Sequence, residues 1–183
     1  MRELSLHILD IIQNSIEANA TFAKLEIIED AEKDILLIRV TDNGKGMDAK
    51  MSQLVLSPFT TTRTTRRVGL GLPLLNMNAQ NCGGYLKIDS KLNEGTIVET
   101  MFKYSHIDLP PMGNLIETIQ TILVGSPDLD FQYEHTVNEK RFSLSAKEIH
   151  EAVGEIDLSH PDIIRWLKDW LTENISCLYG GNS

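Results

Sequence analysis

The stretch Ile35-Leu36-Leu37-Ile38-Arg39-Val40-Thr41-Asp42-Asn43-Gly44-Lys45-Gly46-Met47 decides how the chain folds. Its first seven residues are rich in apolar and β-branched side chains and read as a strand. The strand runs into an aspartate and two glycines, where a backbone can turn sharply or come close to a ligand. Upstream, Phe22–Ile28 is a second strand-like run, joined to the first across the acidic turn Glu29 to Asp34. Further upstream, Leu4, Ile8, Ile11, Ile12, Ser15 and Ile16 recur at three- and four-residue steps, so Leu4 to Ala20 reads as a helix. Asp10, Asn14 and Glu17 share an adjacent face, which places a carboxylate and an amide one turn apart.

Downstream lies the polar stretch Pro58-Phe59-Thr60-Thr61-Thr62-Arg63-Thr64-Thr65-Arg66-Arg67, which has the composition of a loop. Gly69-Leu70-Gly71-Leu72-Pro73 then opens a helix that ends at Gly83-Gly84. Tyr85–Lys91 and Thr96–Tyr104 read as two more strands across the turn Leu92 to Gly95. After Tyr104 the character changes. Ile107 to Pro111 reads as a linker, Leu115–Val124 as a helix, and Phe131–Val137 with Arg141–Ser145 as a hairpin turning at Asn138-Glu139-Lys140. Helices over Ala146–Val153 and Pro161–Ile175, with Ser145 and Ser159 as candidate caps, complete the chain.

Charge marks the same boundary. The 183 residues carry a formal charge of −9. Residues 1–103 hold 12 basic and 13 acidic side chains, whereas residues 104–183 hold 5 and 13, so nearly all the surplus is in the second part. The acidic balance argues against nucleic acid or an anionic membrane as a partner. Two cysteines, Cys82 and Cys177, make no disulfide framework and have no metal-ligand spacing. No apolar run reaches the ~18 residues of a membrane helix, and the N-terminus lacks signal-peptide blocks, so a cytoplasmic protein is expected.

Taken singly, the polar stations have structural explanations: a core amide at Asn14, a tight turn at Asp42, a loop-to-helix junction at Gly69. Taken together they supply what a nucleoside triphosphate needs. The strand-end carboxylate of Asp42 can accept from the exocyclic amine of a purine. Gly44 and Gly46 let a base lie against backbone. The N–H groups around Gly69 and Gly71 open a helix and suit phosphates, with Arg63, Arg66 and Arg67 nearby in sequence. Asn14 offers an amide oxygen to Mg²⁺, which keeps water and phosphate oxygens as its other ligands.

On these residues the chain resembles the GHKL superfamily, the gyrase, heat-shock chaperone, histidine kinase and mismatch-repair ATPases that share the Bergerat ATP-binding fold. Asp10-Ile-Ile-Gln-Asn14-Ser-Ile-Glu17-Ala18 resembles the N box, and Asp42-Asn-Gly44-Lys-Gly46 the G1 box. Pro58-Phe59-Thr60-Thr61 resembles the F box of histidine kinases, Gly69-Leu70-Gly71-Leu72 the G2 box, and Gly95-Thr96 the G3 position. The resemblance implies a two-layer α/β sandwich over residues 1–104, with helices on one face of a mixed sheet, and ATP with Mg²⁺ as its ligands. Asn14 would hold Mg²⁺, within an N box that also contributes Glu17. Asp42 would read the adenine amine, helped by Thr96 through a water. Phe59, Thr60, Thr61, Arg63, Gly69, Leu70, Gly71 and Leu72 would cover the triphosphate.

Four residues before the Mg²⁺-binding asparagine, most sensor histidine kinases have another asparagine. Gyrase-type ATPases and the anti-sigma-factor serine kinases have a glutamate there that acts as general base. Here the position is Asp10, which fits either a general base or a group that orients a Mg²⁺-bound water. The histidine kinases' acceptor hairpin does not occur among these residues. Of His7, His106, His135, His150 and His160, only His150 precedes a glutamate, and the rest of the acceptor context is missing. The usual N-terminal strand and helix of the fold are also short or missing, a place that residues 105–183 can fill. The expectation is a kinase-type catalytic module whose phosphoacceptor, histidine or serine, lies on a separate protein. The alternatives are an ATPase switch and a non-enzymatic ATP-sensing subunit. Residues 105–183 form a small acidic α+β appendage, in which Trp166 and Trp170 mark a helix face expected to pack inward.

Overall fold

The computed structural model describes residues 3–55, 71–154 and 156–180. In chain order they form α1 (Leu4–Glu17), β1 (Phe22–Asp30), β2 (Ile35–Asp42), α2 (Ala49–Val55), α3 (Gly71–Asn81), β3 (Tyr85–Lys91), β4 (Gly95–Lys103), α4 (Leu115–Gly125), β5 (Asp130–Val137), β6 (Lys140–Ser145), α5 (Ala146–Val153) and α6 (Pro161–Leu178). The strands make one sheet in the order β3-β4-β2-β1-β5-β6. Every neighbouring pair is antiparallel except β1 with β5, which run parallel. The result is a mixed α/β sandwich. The turns that join its hairpins place Asp34, Asn93 and Asn138 at positive φ, which these short polar side chains tolerate.

Side-chain alternation assigns the two faces. Leu25 and Ile27 of β1, Ile38 and Val40 of β2, Val98 and Phe102 of β4, and Phe131 and Tyr133 of β5 are all buried, and the register puts them on one face. Helices α3, α1, α4 and α6 lie side by side over that face. Truncating one of these side chains to alanine costs about 2–5 kcal/mol. The other face carries a row of charges that follows the register Glu134–Glu26–Arg39–Glu99–Lys87. Arg39 meets Glu99 at 2.6 Å, Lys24 sits 2.9 Å from Glu26 and 3.2 Å from Glu134, and Arg141 meets Glu134 at 2.6 Å. An antiparallel ladder with a wet side reads as this alternation.

Residues after Tyr104 extend the same sheet and support α1. The first free N–H groups of that helix, of Leu4 and Ser5, donate to the carbonyls of Pro111 and Met112 at 3.0 and 2.8 Å. The segment read as a linker is thus the N-terminal cap of α1. Close approach there requires Gly113 (φ 78°), where a Cβ would sit 2.5 Å from Ser5 Oγ. At the far end of β1, Glu29 accepts from His135 Nε2 at 2.9 Å and from the Tyr179 hydroxyl at the end of α6, while Tyr133 pairs with His135 Nδ1 at 2.8 Å. This group, in which Glu29, Tyr133 and His135 are buried and Tyr179 is exposed, ties β1, β5 and the end of α6 together.

Three local readings change. Ser145 does cap α5, in a capping box with Glu148, but α6 is capped by His160 and not by Ser159. Trp170 packs against the core while Trp166, 40% exposed, stacks on it at 6.1 Å, so only one of the two faces inward. Residues Ala49–Val55 fold as α2, an element without a periodic signal strong enough to read.

Burial pushes the Glu29 carboxyl up, but the hydrogen bonds from His135 and Tyr179 outweigh it and hold the group below its ordinary 4.5. A native carboxyl held low adds stability above the unfolded value and loses it as pH falls through the native one. Glu29→Ala is expected to cost about 1–3 kcal/mol at neutral pH in denaturant titrations, because it leaves the buried Nε2 of His135 without its acceptor. It should also flatten the acid limb of the stability profile below pH ~4.5.

Candidate functional site

β2, an interior strand, ends at Asp42 beside the C-terminal half of α1. Both carboxylate oxygens are engaged: Oδ1 accepts from Gly44 N–H at 2.9 Å, and Oδ2 accepts from the Ser15 hydroxyl at 2.7 Å. Ser15 is 3% exposed and belongs to α1, so this bond joins helix to strand end. The loop that follows is held on three sides. Asn43 Oδ1 accepts from Thr21 and Phe22 N–H, both at 2.9 Å. Lys45 N–H donates to Ala18 O at 2.9 Å, and Lys45 O accepts from Asn93 N–H at 2.7 Å. Glycine is required at Gly46, where φ is 61° and a Cβ would lie 1.9 Å from Lys91 O. Thr96, opposite Asp42 across the ladder, lies 2.8 Å from Ser90 Oγ, which accepts from Met47 N–H at 2.8 Å.

These parts enclose a pocket of about 140 Å³. Polar atoms come from Asn14, Ser15, Glu17, Asp42, Lys45 and Thr96, and apolar walls from Ile11, Met47, Met51, Val55, Leu72 and Val98. Apolar walls with polar groups at one edge suit a planar heterocycle. Of the residues singled out in the sequence, Asn14, Glu17, Asp42, Gly46, Leu72 and Thr96 line this pocket. Gly44 stands behind Asp42, and a Cβ there would come within 3.0 Å of Ala18. Gly71 is buried at the start of α3. Asp10 is half-buried one turn along α1 from Asn14 and is not among the pocket-lining residues. Phe59, Thr60, Thr61, Arg63, Arg66, Arg67, Gly69 and Leu70 lie outside the described residues.

Ser15, which in the sequence is one member of the apolar stripe, lines the pocket; a small hydroxyl beside Asn14 is its signal. Lys45 and Met47, within the strand-and-turn stretch, and Met51 and Val55 on α2 also line it and have no motif signal.

Burial, with the Glu17 carboxylate in reach, pushes the Asp10 carboxyl above its ordinary 3.8, against a hydrogen bond from Asn14. The groups along this face of α1 are hard oxygen donors: the Asn14 amide and the carboxylates of Asp10 and Glu17. No cluster of three or more His, Cys, Asp or Glu able to cage a metal occurs among the described residues. The donor set therefore fits Mg²⁺, which takes one or two protein oxygens and fills its shell with water and phosphate.

Residues 2–106 match the family described as histidine kinase-, DNA gyrase B- and HSP90-like ATPase. The chain belongs to this family of ATP-binding domains, the GHKL proteins, and its sandwich is their Bergerat fold. Over 109 residues it is 27% identical to an NtrY-like sensor histidine kinase of Rickettsia prowazekii, covering 60% of this chain and 18% of that protein. It is 32% identical over 91 residues to sporulation kinase D of Bacillus subtilis, covering 50% of this chain and again 18% of the relative. The match thus spans less than a fifth of either kinase. Among solved structures, the MutL ATPase domain of Aquifex aeolicus, complexed with ADP, superposes with a TM-score of 0.51 at 16% identity, over 84% of this chain and 69% of that one. The N-terminal domain of a DNA repair protein gives 0.54 at 19%, over 86% and 59%.

Ser15→Ala is expected to weaken ATP binding about ten-fold, and Asp42→Ala at least about a hundred-fold, the loss of one hydrogen bond and of a charged acceptor respectively. Calorimetric titration of the three proteins measures both.

Proposed function

We propose that the chain is a Mg²⁺·ATP-dependent phosphotransfer module, working in the cytoplasm, that passes the γ-phosphoryl group to a residue on a separate protein. The observation that carries the reading is the Asp42 pocket, with Asn14 and then Asp10 following one another along α1 away from it. In this reading the adenine amine donates to Asp42, Thr96 assists through a water, and Met47, Val98 and Leu72 sandwich the ring. Gly44 and Gly46 keep the backbone close to the base. The start of α3 at Gly71 holds phosphate oxygens with its free N–H groups. Phe59, Thr60, Thr61, Arg63, Gly69 and Leu70 are assigned to the same triphosphate site on the motif resemblance alone.

Asn14, with Glu17 one turn on, would hold Mg²⁺, which when bound offsets the charge of the phosphates. Asp10 is the general base. A carboxyl raised above its ordinary range accepts a proton more readily, which favours a hydroxyl nucleophile, whether of an acceptor residue or of water. That same carboxylate supports a second reading, an ATPase switch, in which water is the acceptor.

Incubation with γ-labelled ATP and soluble proteins from the source cell tests the proposal. Label on a protein band supports phosphotransfer; label released only as phosphate establishes the ATPase reading; neither, with ATP still bound, leaves a nucleotide sensor and refutes catalysis. Asp10→Asn is expected to lower whichever rate is observed by about 10²–10⁴ while ATP affinity stays within about three-fold. In the wild type the acid limb of the rate profile should lie above 3.8, since the base must be ionised and its carboxyl is raised. An Asp10→Asn protein with wild-type turnover defeats the general-base assignment.

A further inference from the structure

Asp42, Thr96 and Ser90 form one row across β2, β4 and β3, each paired with the next in the ladder, so their side chains share a face. Asp42 and Thr96 line the pocket, and Ser90 does not. The Ser90 hydroxyl oxygen has three polar neighbours: Met47 N–H at 2.8 Å, Gly95 O at 3.0 Å and Thr96 Oγ1 at 2.8 Å. A serine hydroxyl carries one hydrogen and two acceptor lone pairs. Met47 N–H only donates and Gly95 O only accepts, so the Ser90 hydrogen goes to Gly95 O. Thr96 then donates to the remaining lone pair of Ser90. Turning the Ser90 hydrogen to Thr96 instead would leave two oxygens, of Ser90 and Gly95, facing each other at 3.0 Å with no hydrogen between them. Hydrogen-bond accounting therefore fixes these directions, and every position on the Ser90 oxygen is filled.

We infer that Ser90 is a positioning residue for the choice of base: by taking up the Thr96 hydrogen, it turns the Thr96 hydroxyl into an acceptor towards the pocket. The inference rests on the reading of this pocket as an ATP site and adds how the purine is selected. Thr96 then offers lone pairs beside the Asp42 carboxylate, so both side chains present acceptors to the ligand. A purine with an exocyclic amine brings two hydrogens on one nitrogen, one for each acceptor, directly or through a water. A purine with a carbonyl in that place sets a third acceptor against the other two, and acceptors left without donors in a site are costly. Ser90 stands outside the pocket and acts only through Thr96. Its bonds to Met47 and Gly95 also brace the pocket floor, a structural service that does not distinguish one purine from another.

The test uses the full chain with Ser90→Ala, Thr96→Val and both together. Each is titrated calorimetrically with Mg²⁺·ATP and, by competition, with inosine triphosphate, which carries a carbonyl in place of the adenine amine. In Ser90→Ala the Thr96 hydrogen can turn into the pocket, and the preference for ATP is expected to narrow about ten-fold. Thr96→Val should narrow it by a similar factor, and adding Ser90→Ala to Thr96→Val should change it no further, because the two residues act as one. If the two affinities fall together in Ser90→Ala, leaving the preference within about three-fold of the wild type, Ser90 is only a brace and the inference is overturned. A second narrowing in the double variant overturns it too, as does a Thr96→Val protein with the wild-type preference or a wild-type protein that binds ATP without preferring it. A wild-type protein that fails to bind ATP overturns the pocket's reading instead.

Discussion

The structure turns on one carboxylate. Asp42 is held at both oxygens, by a hydroxyl from α1 and by the N–H of its own turn, at 2.7 and 2.9 Å. Hydrogen bonds to an ionised acceptor are stronger than neutral ones, and these two fix the end of a strand, the end of a helix and a glycine turn in one position. Neither bond exhausts the carboxylate, whose oxygens accept about four hydrogen bonds between them. The group is therefore oriented in advance and still open to a donor from a ligand. With Asn43 tying the turn to β1, and Lys45 tying it to α1 and to the β3–β4 turn, the floor of the pocket is set before anything binds.

The helix that supplies Ser15 and Asn14 is itself supported by the second part of the chain. Carbonyls of Pro111 and Met112 cap its first turn, α4 packs beside it, and β5 pairs in parallel with β1 beneath it. The Glu29 group closes the same connection at the opposite end of β1. The acidic surplus of residues 104–183 plays little part in these contacts. Asp108, Asp128, Glu148, Glu151, Asp157, Asp162, Asp169 and Glu173 are exposed, so most of that charge is a solvated surface around an apolar interior.

What the sequence made legible and what it hid divide along physical lines. Local chemistry was readable: the strand from Ile35 to Asp42, the period of α1, the hairpin turns at Asn93 and Asn138, and the capping box at Ser145 all follow from neighbours in the chain. The pairing of Ser15 with Asp42 was not, because it joins residues 27 apart through the fold, and a hydroxyl among isoleucines at helical spacing looks like filler. The Pro110-Pro111 segment reads as a linker because its use lies in its carbonyls, which composition does not report. His160 displaces Ser159 as a cap because Pro161 takes the first helical position and fixes the residue before it. Adjacent stations on α1 were legible as a face, but the depth of each was not. Asn14 is exposed, Asp10 half-buried and His7 wholly buried along one stripe.

Domain-level likeness points two ways: the sequence relatives are a sensor histidine kinase and a sporulation kinase, and the solved structures are a MutL ATPase domain and a domain of a DNA repair protein. The family match covers the residues that form the Asp42 pocket, so the central claim concerns that pocket and the carboxylate that organises it. The most direct measurement is a crystal structure of the full chain with Mg²⁺ and a nonhydrolysable ATP analogue. The account predicts the adenine amine within about 2.7–3.2 Å of an Asp42 oxygen, with the Ser15 and Gly44 bonds intact. A base bound elsewhere, or an Asp42 that keeps only its two internal partners while nucleotide is bound, would contradict it.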